Sequence, residues 1–236
     1  MKLGELTWKE AAAARDKIVL LPVGATEAHG PHLPIATDCI IAEEMARRAA
    51  DKLGAIVAPT VSYSRADYAA GFSGTVSLAA VAFEAHLGSV LAGLRKSGFA
   101  KLCLVNAHIE PAHLESLRRV CQMDGAILPD KTERRWRHKL REVQGIDGHA
   151  GAYETALVMV VRPELVRAPL PPDSSANLLE AMKAGAKTFE EAGAPDAYFG
   201  QPSKATRELG ERIYAILVEM IVTVCGESFT SSASAR

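Results

Sequence analysis

KIVLLPVGATEAHGPHLPIATDCIIAEEMARRAADKLG, residues 17–54, encodes a strand, a loop and a helix in succession. KIVLLPVG (17–24) is short, apolar and closed by Gly24, which reads as a buried strand. TDCIIAEEMARRAADKLG (37–54) has helical spacing, with Thr37 or Asp38 near the N-cap and Gly54 just past the end. The alternation continues along the chain. AIVAPTVSY (55–63) and KLCLVNAH (101–108) read as further strands. SLAAVAFEAHLGSVLAGLRKSG (77–98), PAHLESLRRVCQM (111–123) and SKATRELGERIYAILVEMIVTV (203–224) read as helices. GAYETALVMVV (151–161) begins helical and ends β-branched, so its type stays open. Strand–helix alternation predicts an α/β fold of parallel βαβ units, with helices on both sheet faces.

The loop between the first strand and its helix gathers Glu27, His29, His32 and Asp38 among Gly and Pro. In an open α/β sheet, ligands bind at the carboxyl ends of the strands. Glu27 and His29 are two apart, so on an extended backbone both point the same way. Asp38 follows nine residues after His29, and the Gly and Pro between them fold the loop back. NAHIE, at the end of another strand, repeats the arrangement with His108 and Glu110. Two His and three carboxylates (Glu27, His29, Asp38, His108, Glu110) suit a pair of divalent ions of the Zn or Mn type, with Asp38 able to bridge them.

Other histidines carry less signal. His32 is enclosed by prolines and shapes the loop or takes a direct role; His113 lies one turn into a helix and can face the site. His86 and His138 read as surface residues. In GIDGHAGAYETALVMV (145–160), His149 stands between glycines with Glu154 five residues on. His149 fits a general acid–base or a substrate contact. Glu154 fits either the site or the positive end of a helix dipole.

With 236 residues and a formal net charge of -1, the composition shows no sign of nucleic-acid binding. The four cysteines form no C-x-x-C pair and read as buried free thiols of a reducing compartment. No run reaches the roughly 18 apolar residues of a membrane span, and no secretory h-region opens the chain, so a soluble cytoplasmic protein is expected. Residues 1–236 read as one domain. The charged segment 125–148 is either a solvated helix or an excursion covering a site. The polar tail SFTSSASAR is expected to fray.

LPVGATEAHGPHLPIATD (21–38), GFSGTVSL (71–78), LVNAHIE (104–110) and HAGAYET (149–155), with a weaker fifth piece FGQPSKATRELGERI (199–213), resemble the creatininase (creatinine amidohydrolase) family. The resemblance implies a three-layer α/β/α fold with a central, mostly parallel sheet. It implies a binuclear Zn or Mn site, a homo-oligomer that is often a hexamer, and hydrolysis of a non-peptide C–N bond in a small cyclic amide or formamide. By motif, Glu27, Asp38 and His108 would hold one metal, and His29, Asp38 and Glu110 the other. His149, Glu110 and Glu154 would serve catalysis, and Ser73, Ile109 and Tyr153 would touch substrate. The chain departs from the family at Pro111, and VQGIDG before His149 lacks the tryptophans of the creatininase pocket, so a substrate other than creatinine is expected. Two rivals share these motifs: a metallopeptidase trimming a short modified peptide, and an inactive binding protein, whose signature would be a broken ligand set.

Overall fold

The computed structural model describes residues 1–144 and 148–230. A short helix α1 (Trp8–Ala13) opens the chain, its first turn closed by a capping box between Thr7 and Glu10. It leads into β1 (Ile18–Val23), the central strand of a parallel sheet ordered β2-β1-β3. Helix α2 (Thr37–Leu53) follows, then β2 (Ile56–Val57), α3 (Ala80–Lys96) and β3 (Lys101–Asn106). The remaining helices are α4 (Pro111–Asp124), α5 (Arg134–Gln144), α6 (Ala152–Val161), α7 (Leu178–Lys183) and α8 (Arg207–Thr230). β1 and β3 pair in register from Ile18↔Lys101 to Val23↔Asn106, so both strands end at the same level.

Side chains alternate between the sheet faces, and the core divides accordingly. Val19, Leu21, Val23, Leu102 and Leu104 pack with Phe83, Leu87 and Leu91 of α3 and Leu117 of α4. Leu20, Cys103 and Val105 face the other way, toward Ile41 and Met45 of α2, Leu157 of α6 and Leu217 of α8. The result is helices, sheet, helices: the three-layer arrangement expected. All four cysteines are buried and free.

Three expectations change in detail, and one segment left open is assigned. The second strand is two residues long rather than nine. Ala58 N still donates to Leu20 O, but Pro22 has no N–H to continue the ladder, and the chain rejoins β1 only at Val61, whose N–H donates to Pro22 O. The 151–161 segment is helical to Val161 despite its β-branched end. α6 is apolar nearly all round because it is enclosed by α2 and α8, and burial outweighs local propensity. The cap of α2 is Ala36, because Thr37 Oγ1 donates to Pro34 O (2.6 Å) and the Asp38 carboxylate turns elsewhere. α8 starts later than expected and runs on to Thr230, so the tail is helical that far; 231–236 lie outside the described residues.

Within 125–148 the helix reading holds for Arg134–Gln144. α5 is largely solvated, pairing Arg135 with Glu227 and Lys139 with Glu219 on α8, while its Trp136 and Leu140 enter the core. Residues 145–147 are outside the described residues.

Two close backbone approaches hold this frame. A Cβ on Gly210 of α8 would come 2.3 Å from Ala156 O of α6. A Cβ on Gly24 would come 2.6 Å from Cys39 N and 2.8 Å from the carbonyl carbon of Asp38, so the end of β1 abuts the first turn of α2. Gly24→Ala is therefore expected to push Asp38 outward. Overpacking of about 1–3 kcal/mol corresponds to a Tm loss of about 3–10 °C at this chain length. Thermal melts would check it; an unchanged Tm would mean that the contact yields freely.

Candidate metal centre

The carboxyl ends of β1 and β3 deliver the expected residues to one buried place. Glu27, His29 and Asp38 are 0–1% exposed, and His108, Glu110 and Glu154 are 6–8% exposed. The 24–36 loop is tied down at several points. Glu27 N donates to Ile35 O, Ala28 N to Thr75 Oγ1, and Val76 N to Thr26 O. Thr75 thus explains the GFSGTVSL stretch, whereas Ser73 sits in an exposed turn beside it.

His29 Nε2 stands 3.7 Å from Asp38 Oδ1, 3.6 Å from Glu154 Oε2 and 3.8 Å from Glu27 Oε1. Its Nδ1 bonds the Glu27 carbonyl (3.1 Å), so Nε2 is the ring nitrogen turned toward these oxygens. His108 Nδ1 lies 2.9 Å from Glu27 Oε1 and 3.0 Å from Asp38 Oδ2. His149 Nε2 donates to Ala28 O (2.8 Å), leaving Nδ1 toward Glu27 Oε1 (3.9 Å) and Glu154 Oε2 (4.0 Å). Three donor sets each fall within 4.8 Å: Glu27, His29 and His149; Glu27, His108 and Glu110; His29, Asp38 and Glu154.

The grouping differs from the one carried over by motif. Glu110 falls with Glu27 and His108, and Glu154 takes the place beside His29 and Asp38. Glu154 is on the first turn of α6, but its Oε2 is aimed inward by the Ala150 N–H (2.6 Å). Ala150 adopts φ +53, a left-handed conformation unusual for alanine, which turns that N–H into the site.

Both oxygens of Glu27 and of Asp38, Glu110 Oε1 and His29 Nε2 are buried without a hydrogen bond. Unpaired polar atoms in the interior cost free energy, and buried carboxylates need paired charge. Zn ligands at about 2.1 Å on a tetrahedron stand about 3.4 Å apart, close to the 3.6–3.8 Å around His29 Nε2. The donor set therefore fits divalent cations. Protonation follows the same charge imbalance. Burial lowers the pKa of His29, yet Asp38, Glu154 and Glu27 outweigh it and raise it to about 10. Burial likewise opposes, and Glu27 and Asp38 produce, a strong rise at His108. Asp38 is held well below the usual carboxylate range: burial raises it, but His108 and His29 prevail. Glu110 is raised by burial, although it accepts the Tyr68 N–H (3.1 Å).

The other histidines support rather than join the cluster. His113 Nε2 donates to Asn106 Oδ1 (3.0 Å), Asn106 Nδ2 donates to His108 O, and the His113 ring meets that of His108 edge-on. His32 bonds Thr155 Oγ1 (3.0 Å), linking the loop to α6. His86 and His138 are exposed. Ile109 is exposed, and Tyr153 is buried with its hydroxyl 3.4 Å from Lys131 Nζ. Sequence reasoning missed Lys131, hidden in a charged run; Asn106; and Phe189, whose ring lies 4.5 Å from that of His149. Phe189 belongs to a separate small cluster with Ala69 and Phe199 that covers this side of the site.

The creatinine amidohydrolase (creatininase) family model matches residues 4–225. The chain belongs to the creatininase family. A mycofactocin precursor peptide peptidase of Mycobacterium ulcerans (strain Agy99) is 31% identical over 219 residues, covering 87% of this chain and 83% of that protein. A creatinine amidohydrolase of Pseudomonas putida is 34% identical over 116 residues, 46% of this chain and 45% of its own. Among solved structures, a manganese creatininase superposes at TM-score 0.73 with 25% identity over 97% of this chain and 98% of that one. A zinc–zinc form of a creatininase mutant superposes at 0.78 with 24% identity over the same shares. The chain is thus a hydrolase of the creatininase family with residues that can bind metal. Among the described residues no helix is long and apolar enough to cross a membrane.

Metal uptake must expel the protons held by His29 and His108. His29, raised from 6.5 to about 10, stabilises the metal-free fold fully below about pH 6.5, and this contribution is lost as pH rises through about 10. Metal affinity runs the opposite way and strengthens as pH rises. Melting the metal-free chain between pH 6.5 and 10 should give a falling Tm, and zinc titration over the same range a rising affinity. A flat profile in both would contradict the charge imbalance.

Proposed function

We propose that this chain is a two-metal amidohydrolase that cleaves the C–N bond of a small, peptide-like amide. One observation carries the reading: buried donor atoms of Glu27, His29, Asp38, His108, Glu110 and Glu154 converge beside adjacent strand ends, and both oxygens of Glu27 and Asp38, Glu110 Oε1 and His29 Nε2 have no hydrogen-bond partner. Glu27, His108 and Glu110 would hold one ion, and His29, Asp38 and Glu154 the other, with Zn or Mn as the metals. Bound there, divalent cations supply Lewis acidity to a carbonyl and lower the pKa of water toward neutrality. Asp38 offers one oxygen to each imidazole, Oδ1 toward His29 and Oδ2 toward His108, the geometry of a bridging group. His149 is the least buried imidazole of the three and keeps a lone pair at Nδ1. It is the group to take a proton from the attacking water and return it to the departing nitrogen. Asn106 and His113 hold the His108 backbone, and His32 holds Thr155 beside Glu154.

A small cyclic amide or formamide requires the same chemistry. Two observations favour the peptide-like amide. The peptidase relative aligns with most of this chain. The chain also has no tryptophan at the site: Trp8 is 77% exposed and Trp136 is buried in the core. The homo-oligomer implied by the resemblance belongs to the same proposal and is read by light scattering.

Purified without chelator, the wild type should hold about two Zn or Mn per chain and hydrolyse short linear peptides faster than lactams. Asp38→Asn should lose both ions and at least 100-fold in kcat. Glu154→Gln should keep about one ion, a result that separates a ligand from a group acting only in proton transfer. Full metal content and turnover in Asp38→Asn would defeat the assignment.

A further inference from the structure

The donor atoms of the metal centre are shut off from water. Both oxygens of Glu27 and of Asp38, Glu110 Oε1 and His29 Nε2 are buried, and the His149 side chain is only 10% exposed. An ion or a substrate therefore reaches them only after part of the cover has moved. Most of the cover is firmly held. β1, β3, α2 and α6 carry the two large apolar cores. The 24–36 loop and residues 66–77 are cross-tied, Ala28 N donating to Thr75 Oγ1, Val76 N to Thr26 O and Ala66 N to Ser77 Oγ.

Residues 177–197, which include α7, are held differently. They bond to one another: Asn177 caps α7 at Glu180 N, Ala194 N donates to Phe189 O, and Ala197 N donates to Ala194 O. Among the described residues, two hydrogen bonds tie this segment to the rest of the fold, and both involve Tyr68. Phe189 N donates to Tyr68 O (3.0 Å), and the Tyr68 hydroxyl donates to Ala186 O (3.0 Å). The ends meet just outside the segment, where Ser174 N donates to Gly200 O (2.8 Å). Its apolar anchor is a small cluster, Phe189, Ala192, Ala194 and Ala197 against Ala69 and Phe199, separate from both large cores. Regions with few buried apolar contacts are the ones that open locally.

We propose that residues 177–197 are a lid over the metal centre, latched by Tyr68 and Phe189, and that its opening admits the metal ions and the substrate. Closed, the Phe189 ring lies 4.5 Å from that of His149 and 6.0 Å from that of Tyr68. The same Tyr68 gives its N–H to Glu110 Oε2 (3.1 Å), so the latch and a metal ligand share one residue. Seating the lid fixes the Tyr68 backbone through its carbonyl, which keeps that N–H on Glu110. Closure also keeps water from His149 and the donor atoms, where electrostatic interactions are then strongest. What enters rests on the two-metal reading, which the lid deepens by naming what controls access to the centre.

Tyr68→Phe removes one latch bond and leaves the backbone N–H on Glu110; Phe189→Ala removes the ring. Losing one net hydrogen bond raises the open population about fivefold. Hydrogen exchange followed by mass spectrometry should therefore quicken by about that factor across 177–197 in Tyr68→Phe, and by more in Phe189→Ala, with α6 and α8 unchanged. Zinc uptake and zinc extraction by a chelator should both quicken by the same factor as the exchange, and the zinc content at equilibrium should stay that of the wild type. On the metal-free chain, modification of His149 by diethylpyrocarbonate should quicken likewise. Phe189→Leu replaces the alanine variant if the latter does not fold. Unchanged exchange in both variants, or faster exchange with unchanged zinc kinetics, would overturn the proposal. So would a fall in zinc content, which marks Tyr68 as a support of Glu110 alone. If the chain takes up no zinc, the two-metal centre fails, and hydrogen exchange with His149 modification still judges the lid.

Discussion

Four carboxylates and three imidazoles share a volume shut off from water, and that electrostatic constraint organises the rest of the molecule. Isolated carboxylates at this depth would take up protons or be driven to the surface. Here each lies within 4 Å of an imidazole or accepts a backbone N–H. The metal-free chain meets the demand partly by loading His29 and His108 with protons. Divalent cations meet it more completely, because one ion satisfies several lone pairs at once. Folding energy and metal binding are therefore coupled through the same atoms.

The scaffold brings those atoms together by register. β1 and β3 end level with one another, so the residues after Val23 and Asn106 start from adjacent positions. Gly24 then lets the first turn of α2 press against the strand end, which brings Asp38 inward between His29 and His108. Glu154 arrives by a third route, from the buried helix α6, with Ala150 in a left-handed conformation to orient it. Three chain segments far apart in sequence thus converge, each held by its own hydrogen bonds to the 24–36 loop or to β3.

Further groups surround the centre. Phe189 lies against His149, Tyr68 N–H supports Glu110, and Lys131 donates to the carbonyl of Ala107, one residue before His108.

The metal-binding motifs and layered architecture were legible in the sequence because they depend on local pattern. Residues two apart on an extended chain share a direction, and apolar periodicity separates strand from helix wherever one face meets solvent. That reasoning singled out Glu27, His29, Asp38, His108 and Glu110 as candidate ligands, and it gave the α2, α3 and α4 helices. It could not assign α6, since a helix buried on all sides has no polar face to reveal its period. It overextended β2, where Pro22 of the neighbouring strand has no N–H to continue the ladder. It could not decide whether Glu154 serves the centre or a helix dipole, because that depends on where α6 sits against β1. Lys131 looked like one charge among many in a solvated run, and only the fold buries it. Spacing along the chain dictated which groups can bind a metal. Which of them meet depended on distances between segments that only tertiary packing sets.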